Sequence, residues 1–136
     1  MKKSIIIIDD SSFIVDLLST FFSEQLDFQV LATGNNGMAA VSLYKEHKPD
    51  LMTMDLTMPV KDGKTALQEI LKEFPDARIL MISSQLGPSI VECLKIGASG
   101  YIEKPLQLSS EEFVQEFQET VSRALALSKG NSPGPS

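Results

Sequence analysis

The sequence predicts an α/β fold, a doubly wound parallel sheet with helices on both faces, from three observations. Short apolar runs alternate with amphipathic stretches five times along the chain. The first and fourth runs are apolar at nearly every position, as expected of strands buried on both faces. The stretches between them carry apolar pairs at four-residue spacing and stop at Pro or Gly.

Taken in order, "SIIII" (Ser4–Ile8) is the first strand, and Phe13/Ile14, Leu17/Leu18 and Phe21/Phe22 mark the first helix. The second strand is Phe28–Thr33, followed by a shorter helix through Ala40, Leu43 and Tyr44 that must end before Pro49. Leu51–Met54 is the third strand. Its helix runs through Ala66/Leu67, Ile70/Leu71 and Phe74 and is ended by Pro75. Arg78–Ser83 is the fourth strand, and the helix of Ile90, Val91 and Leu94 closes at Gly97 in the C′ position. Gly100–Glu103 is the fifth strand. The last helix, through Phe113, Val114, Phe117, Val121 and Leu125, opens on Ser109 with Glu112 three residues on, a capping box. Residues 1–127 therefore form one domain, and the Gly/Pro/Ser-rich tail 128–136 is expected to be a disordered polar tail or a linker stub.

Composition narrows the function. With 12 basic and 18 acidic residues the net charge is −6, which argues against a nucleic-acid surface, since phosphate backbones need clustered Lys and Arg. The one cysteine, Cys93, excludes an internal disulfide and a Cys-based metal site; between Val91 and Leu94 it reads as a buried thiol. The run Ile5–Ile8 is too short for a signal peptide and no stretch is long enough to span a membrane, so a cytoplasmic protein is expected.

In a doubly wound sheet the chemistry lies beyond the carboxyl ends of the strands. Asp9 and Asp10 follow strand one, Asp55 follows strand three, Ser83 and Ser84 end strand four, and Lys104-Pro105 follows strand five. Three carboxylates on one rim repel, and each raises the others' pKa unless a cation sits among them. Hard oxygen donors around a small cleft suit Mg²⁺. An ionised Asp55 could then accept a phosphoryl group, with Lys104 neutralising its oxygens and Ser83 donating to one of them. Each piece has an ordinary explanation taken alone. Asp9 and Asp10 could cap the helix beginning near Ser11 or Ser12, Lys104 could be a solvated lysine, and Tyr101 a half-buried strand aromatic. Their coincidence at consecutive strand ends is what points to a site.

The segments "IIIIDDSSF", "PDLMTMDLTMPVKDG", "ILMISS" and "GASGYIEKP", with the spacing between them, resemble the receiver domains of two-component response regulators, especially the stand-alone chemotaxis type. The resemblance covers about Lys3 to Leu127. It implies a flavodoxin-like sheet in order 2-1-3-4-5 flanked by five helices. It makes Asp55 the acceptor of a phosphoryl group from a sensor histidine kinase, with Mg²⁺ held by Asp9, Asp10, Asp55 and the backbone carbonyl of Thr57. It also implies Ser83 and Tyr101 as switch residues, Lys104 as the lysine that pairs with the phosphoryl group, and a cis Lys104-Pro105 peptide. The face of the fourth helix, fifth strand and fifth helix would bind a downstream protein, such as a flagellar motor or chemotaxis component. The chain would be a monomer or a phosphorylation-linked dimer.

Thr57 occupies a position that varies in the family and tunes loss of the phosphoryl group to water. "SSF" after Asp10 lacks a basic residue, and "PLQLSSEEF" makes a longer connection than the smallest members have. Two other functions compete. The chain could be the receiver half of a larger transcription factor or enzyme. It could also be a haloacid-dehalogenase-type phosphatase, but those enzymes carry a second acid where Thr57 stands. The one histidine, His47, lies in the polar "YKEHKPD" and is expected to be solvated, so the phosphoryl donor must come in trans.

Overall fold

A computed structural model describes residues 2–85 and 87–126; the predicted tail 128–136 lies outside the described residues. The elements are β1 (Lys3–Ile8), α1 (Ser12–Thr20) continued by a π-helical turn (Phe21–Gln25), β2 (Phe28–Gly34), α2 (Gly37–His47), β3 (Leu51–Met54), α3 (Gly63–Glu73), β4 (Ile79–Ser83), α4 (Pro88–Ile96), β5 (Gly100–Glu103) and α5 (Glu111–Ala126). The five strands are parallel in the order β2-β1-β3-β4-β5, as expected.

The unbroken isoleucines of β1 serve two cores. Ile5 and Ile7 pack with Leu18, Phe21, Phe22 and Phe117 on one side of the sheet. Ile6 and Ile8 pack with Ala40, Leu67 and Ile90 on the other. Successive strand side chains point to opposite faces, so a central strand covered twice favours apolar residues at every position. On the first side Phe21 lies 4.7 Å from Phe117 between ring centroids, and Phe22 meets Phe28 edge-on at 5.2 Å. Truncating Phe117 would cost about 3–5 kcal/mol.

The π turn was not foreseen. Residues four apart drift by about 40° per step around an α-helix. The wider turn takes back part of that drift, leaving Phe21 and Phe22 both buried. A bulge in β2 was equally unforeseen: Ile5 pairs with Val30 but Ile6 with Ala32, so Leu31 is skipped.

The helix starts correct two expectations. Ser11, not Asp9 or Asp10, caps α1, accepting the Ile14 N–H at 3.3 Å. Ser110, not Ser109, caps α5, accepting the Phe113 N–H at 3.3 Å. The third helical residue is then Phe113, which has no acid to reach back, so there is no capping box. Asn36 caps α2 and Asp62 caps α3, each accepting an N–H at 2.8 Å. Gly97 ends α4 at φ +134°, its N–H reaching the Cys93 carbonyl. Cys93 is buried as expected. His47 is half-buried rather than solvated, 3.8 Å from Glu46. Among the described residues no helix is long and apolar enough to cross a membrane.

Candidate functional site

Because all strands run one way, their last residues share one rim. Ile8 pairs with Met54, so Asp9 and Asp55, the next residues, emerge side by side. The main chain keeps bonding past the strand ends: Asp55 N–H donates to the Ile8 carbonyl, Asp9 N–H to that of Gly34, and Lys104 N–H to that of Ser83, each at 3.0 Å. These bonds make the rim part of the sheet, so its side chains are placed by rigid backbone.

Asp9, Asp10 and Asp55 offer carboxylate oxygens that all lie within 4.8 Å of one another. Asp9 and Asp55 are buried and Asp10 is exposed. Asp9 Oδ1 accepts the Ser11 N–H at 2.9 Å, which holds the N-cap residue rather than capping the helix, and uses one of its two oxygens. Oδ2 lies 2.8 Å from Lys104 Nζ, and the same ammonium is 3.6 Å from Asp55 Oδ1. Despite that distance, no donor among the described residues is aligned on Asp9 Oδ2, a buried oxygen without a hydrogen bond there. Lys104 therefore acts on Asp9 Oδ2 through charge rather than through an aligned hydrogen bond.

The electrostatic result is concentrated on Asp55. Its pKa is pushed up from 3.8 to about 6, first by burial and next by the charge of Asp9. Lys104 offsets part of the rise and Asp10 adds to it. A cation among these oxygens would remove the repulsion. The donor set of three close carboxylates, one with an unsatisfied buried oxygen, fits a hard divalent ion such as Mg²⁺.

The remaining predicted residues lie on the same rim or beside it. Ser83 is buried and its Oγ accepts the Gln85 N–H at 3.0 Å, which leaves its own O–H to donate. Thr57 is exposed, two residues beyond Asp55. The Lys104-Pro105 peptide is cis. Tyr101 pairs with Met81 and packs partly buried against the core under α4. Its hydroxyl is buried without a hydrogen-bond partner among the described residues, and desolvation raises its pKa, with Glu103 adding to the rise. Beside it a cleft of about 360 Å³ runs past Lys104, Pro105, Gln107 and Phe113.

Two glycines shape the site, and one of them had no signal in the sequence. Gly63 donates to the Leu56 carbonyl at 2.8 Å, and any Cβ there would collide with the Asp55 carbonyl oxygen. The Asp62-Gly63 pair ends the quoted segment "PDLMTMDLTMPVKDG" and carries a local turn signal. Gly37 was not legible: it donates to the Lys61 carbonyl at 2.8 Å, and a Cβ there would collide with that oxygen. In the sequence "NNG" before a helix reads as a turn and nothing more.

Comparison with known proteins gives a coherent result. The family model for the response regulator receiver domain matches residues 5–117. Chemotaxis protein CheY of Bacillus subtilis (strain 168) is 42% identical over 108 residues, 79% of this chain and 89% of that protein. A protein-glutamate methylesterase/protein-glutamine glutaminase of Oleidesulfovibrio alaskensis is 31% identical over 97% of this chain, which spans 36% of that longer protein. Among solved structures, the CheX-CheY-BeF3-Mg complex from Borrelia burgdorferi superposes with a TM-score of 0.82. That match has 33% identity and covers 92% of this chain and 90% of the other.

Proposed function

The chain belongs to the response regulator receiver domain family, and from that premise we propose that it is a phosphorylation-dependent signalling switch of the CheY-like kind. Asp55 is the phosphoacceptor, and the donor is a phosphohistidine on a sensor kinase. An Asp55 carboxylate oxygen attacks phosphorus, the N–P bond of the donor breaks, and the imidazole leaves with the electron pair. The observation that carries this reading is a buried carboxylate set between two other acids, with an ammonium 3.6 Å away, on the rim where parallel strands end.

Asp9, Asp10, Asp55 and the Thr57 carbonyl would hold Mg²⁺. When bound, that ion supplies charge neutralisation for the transferring oxygens. Lys104 pairs with the phosphoryl group once Asp55 carries it, loosening its grip on Asp9. Ser83, whose O–H is free to donate, turns its hydrogen bond to a phosphoryl oxygen. Tyr101 gains room to move inward as Ser83 shifts. Its buried hydroxyl, without a partner among the described residues, supports a side chain that is poorly satisfied where it stands. The populations of the α4–β5–α5 face then change, and a downstream protein reads them. The similarity to chemotaxis CheY proteins makes a chemotaxis or motility component the reading preferred for that partner. The protein would turn over no substrate other than its own phosphoryl group.

Intact-mass measurement after incubation with acetyl phosphate tests the reading. A single phosphoryl adduct that needs Mg²⁺ and is missing in Asp55→Asn is expected; no adduct on the wild-type chain would overturn it. The match to a methylesterase over 36% of that protein's length keeps a second reading in view, the receiver portion of a larger regulator. Sequencing the native gene beyond the codon for Ser136 decides between the two.

A further inference from the structure

We propose that Gly37, the first residue of α2, is a positioning residue for the loop that joins β3 to α3 and carries the Thr57 carbonyl. The inference rests on the metal-site reading above and adds to it a residue outside every site motif. The loop runs from Asp55 to Gly63. Leu56 and Met58 are buried and fix its first half. Pro59 and Val60 have no such anchor: both are exposed, Val60 by 76%.

Yet the second half contains the most demanding backbone of the loop. Val60 sits at φ +69°, a region that β-branched residues avoid and that persists only where surrounding structure imposes it. Side-chain packing cannot impose it here, because the side chain faces water. The main chain does. Lys61 N–H donates to the Pro59 carbonyl at 2.7 Å around Val60, and Gly37 N–H donates to the Lys61 carbonyl at 2.8 Å. Gly37 is buried, and the contact is backbone against backbone at a distance that leaves no room for a Cβ. From the other side, Lys61 Nζ reaches both carboxylate oxygens of Glu69 on α3 at 2.7 Å.

α2 is a firm support for this strap. Asn36 caps it and Ala40 and Tyr44 bury it in the core. Lys61 is therefore held between two helices, and through Pro59 its position sets how the chain leaves Met58 and Thr57. Mg²⁺ demands near-ideal octahedral geometry, so a displaced Lys61 would show in its affinity even with every ligand present. Linkage is reciprocal: if the strap favours the metal, the metal must favour the strap.

The test is calorimetric titration with Mg²⁺ alone on the full chain, for wild type, Gly37→Ala and Ser42→Ala, the last an exposed α2 position as control. The expected result is a Kd raised about tenfold in Gly37→Ala, the scale of losing a supporting contact behind a metal ligand, and one within about twofold in Ser42→Ala. A folded Gly37→Ala chain with wild-type affinity overturns the inference while leaving the site reading intact. Should that variant fail to fold, amide hydrogen exchange on the wild type decides. Gly37 exchange should slow severalfold on Mg²⁺ saturation, and an unchanged rate overturns the inference. A wild type that takes up no Mg²⁺ overturns the site reading and this inference together.

Discussion

Asp50 and Asp55 stand at the two ends of the same four-residue strand, β3, and the fold treats them in opposite ways. At the amino edge Asp50 Oδ2 accepts from Ser4 N at 2.8 Å and from Ser4 Oγ at 3.2 Å, and Asp50 N–H donates back to Ser4 Oγ at 3.0 Å. Its charge is spent on closing the end of the sheet. At the carboxyl edge Asp55 is buried beside Asp9 with Asp10 close by, and its pKa rises to about 6. One aspartate is satisfied by its own chain; the other is left wanting a cation. A fold selected for stability alone would have treated both like the first, so the difference marks where function has been bought with stability.

Several substitutions break or sharpen this contrast. The largest effect is on chemistry: Asp55→Asn should abolish the phosphoryl adduct, while Asp50→Asn should leave it in place, both read by intact mass. Next, Lys104→Met removes the ammonium that lies 2.8 Å from Asp9 and 3.6 Å from Asp55. The adduct should then form about a hundredfold more slowly, the scale of losing one preorganised charge partner; a rate within threefold of wild type would exclude that role for Lys104.

Stability should move in opposite directions at the two ends of the strand. The folded pKa of Asp55, about 6, lies above its reference of 3.8. Between those values the folded chain binds more protons at this group than the unfolded chain does, so stability falls as pH rises through the window. In metal-free buffer at pH 7, Asp55→Asn should thus stabilise the fold by about 1–3 kcal/mol, the gain shrinking as pH falls from about 6 and nearly gone by about pH 4. Urea unfolding at both pH values measures it, and a loss of stability at pH 7 would falsify the account of Asp55. The smallest effect belongs to Asp50→Ala, which leaves the Ser4 N–H and hydroxyl without their acceptor and should cost about 1–2 kcal/mol, with no dependence on Mg²⁺.

Much of this was legible because it depends on local pattern. The doubly apolar β1 and β4 announced a covered parallel sheet, and residues at consecutive strand ends announced the rim. Parallel topology does the rest: once the strands run one way, Asp9, Asp55, Ser83 and Lys104 have to share an edge. What could not be read depends on how distant segments fit. The choice of Ser110 over Ser109 as a cap is settled by where α5 docks Phe113 and Phe117. The π turn after α1 adjusts rotation so that Phe21 and Phe22 are both buried, and the skipped Leu31 shifts the register of β2 from Ala32 onward. Gly37 touches Lys61 across 24 residues of sequence, and no local pattern encodes that contact.

The alternation along β1 has a practical use for anyone re-engineering this chain. Ile5 and Ile7 belong to one core and Ile6 and Ile8 to the other, with the hydrogen-bonded sheet between them. Side chains that share no partners contribute independently to stability. Variants of Leu18, Phe22 and Phe117 could therefore be screened in one library and variants of Leu67, Ile70 and Ile90 in another. The best of each could be combined without testing every pairing, with β1 itself excluded from both because a backbone shift there would be felt on the two sides at once.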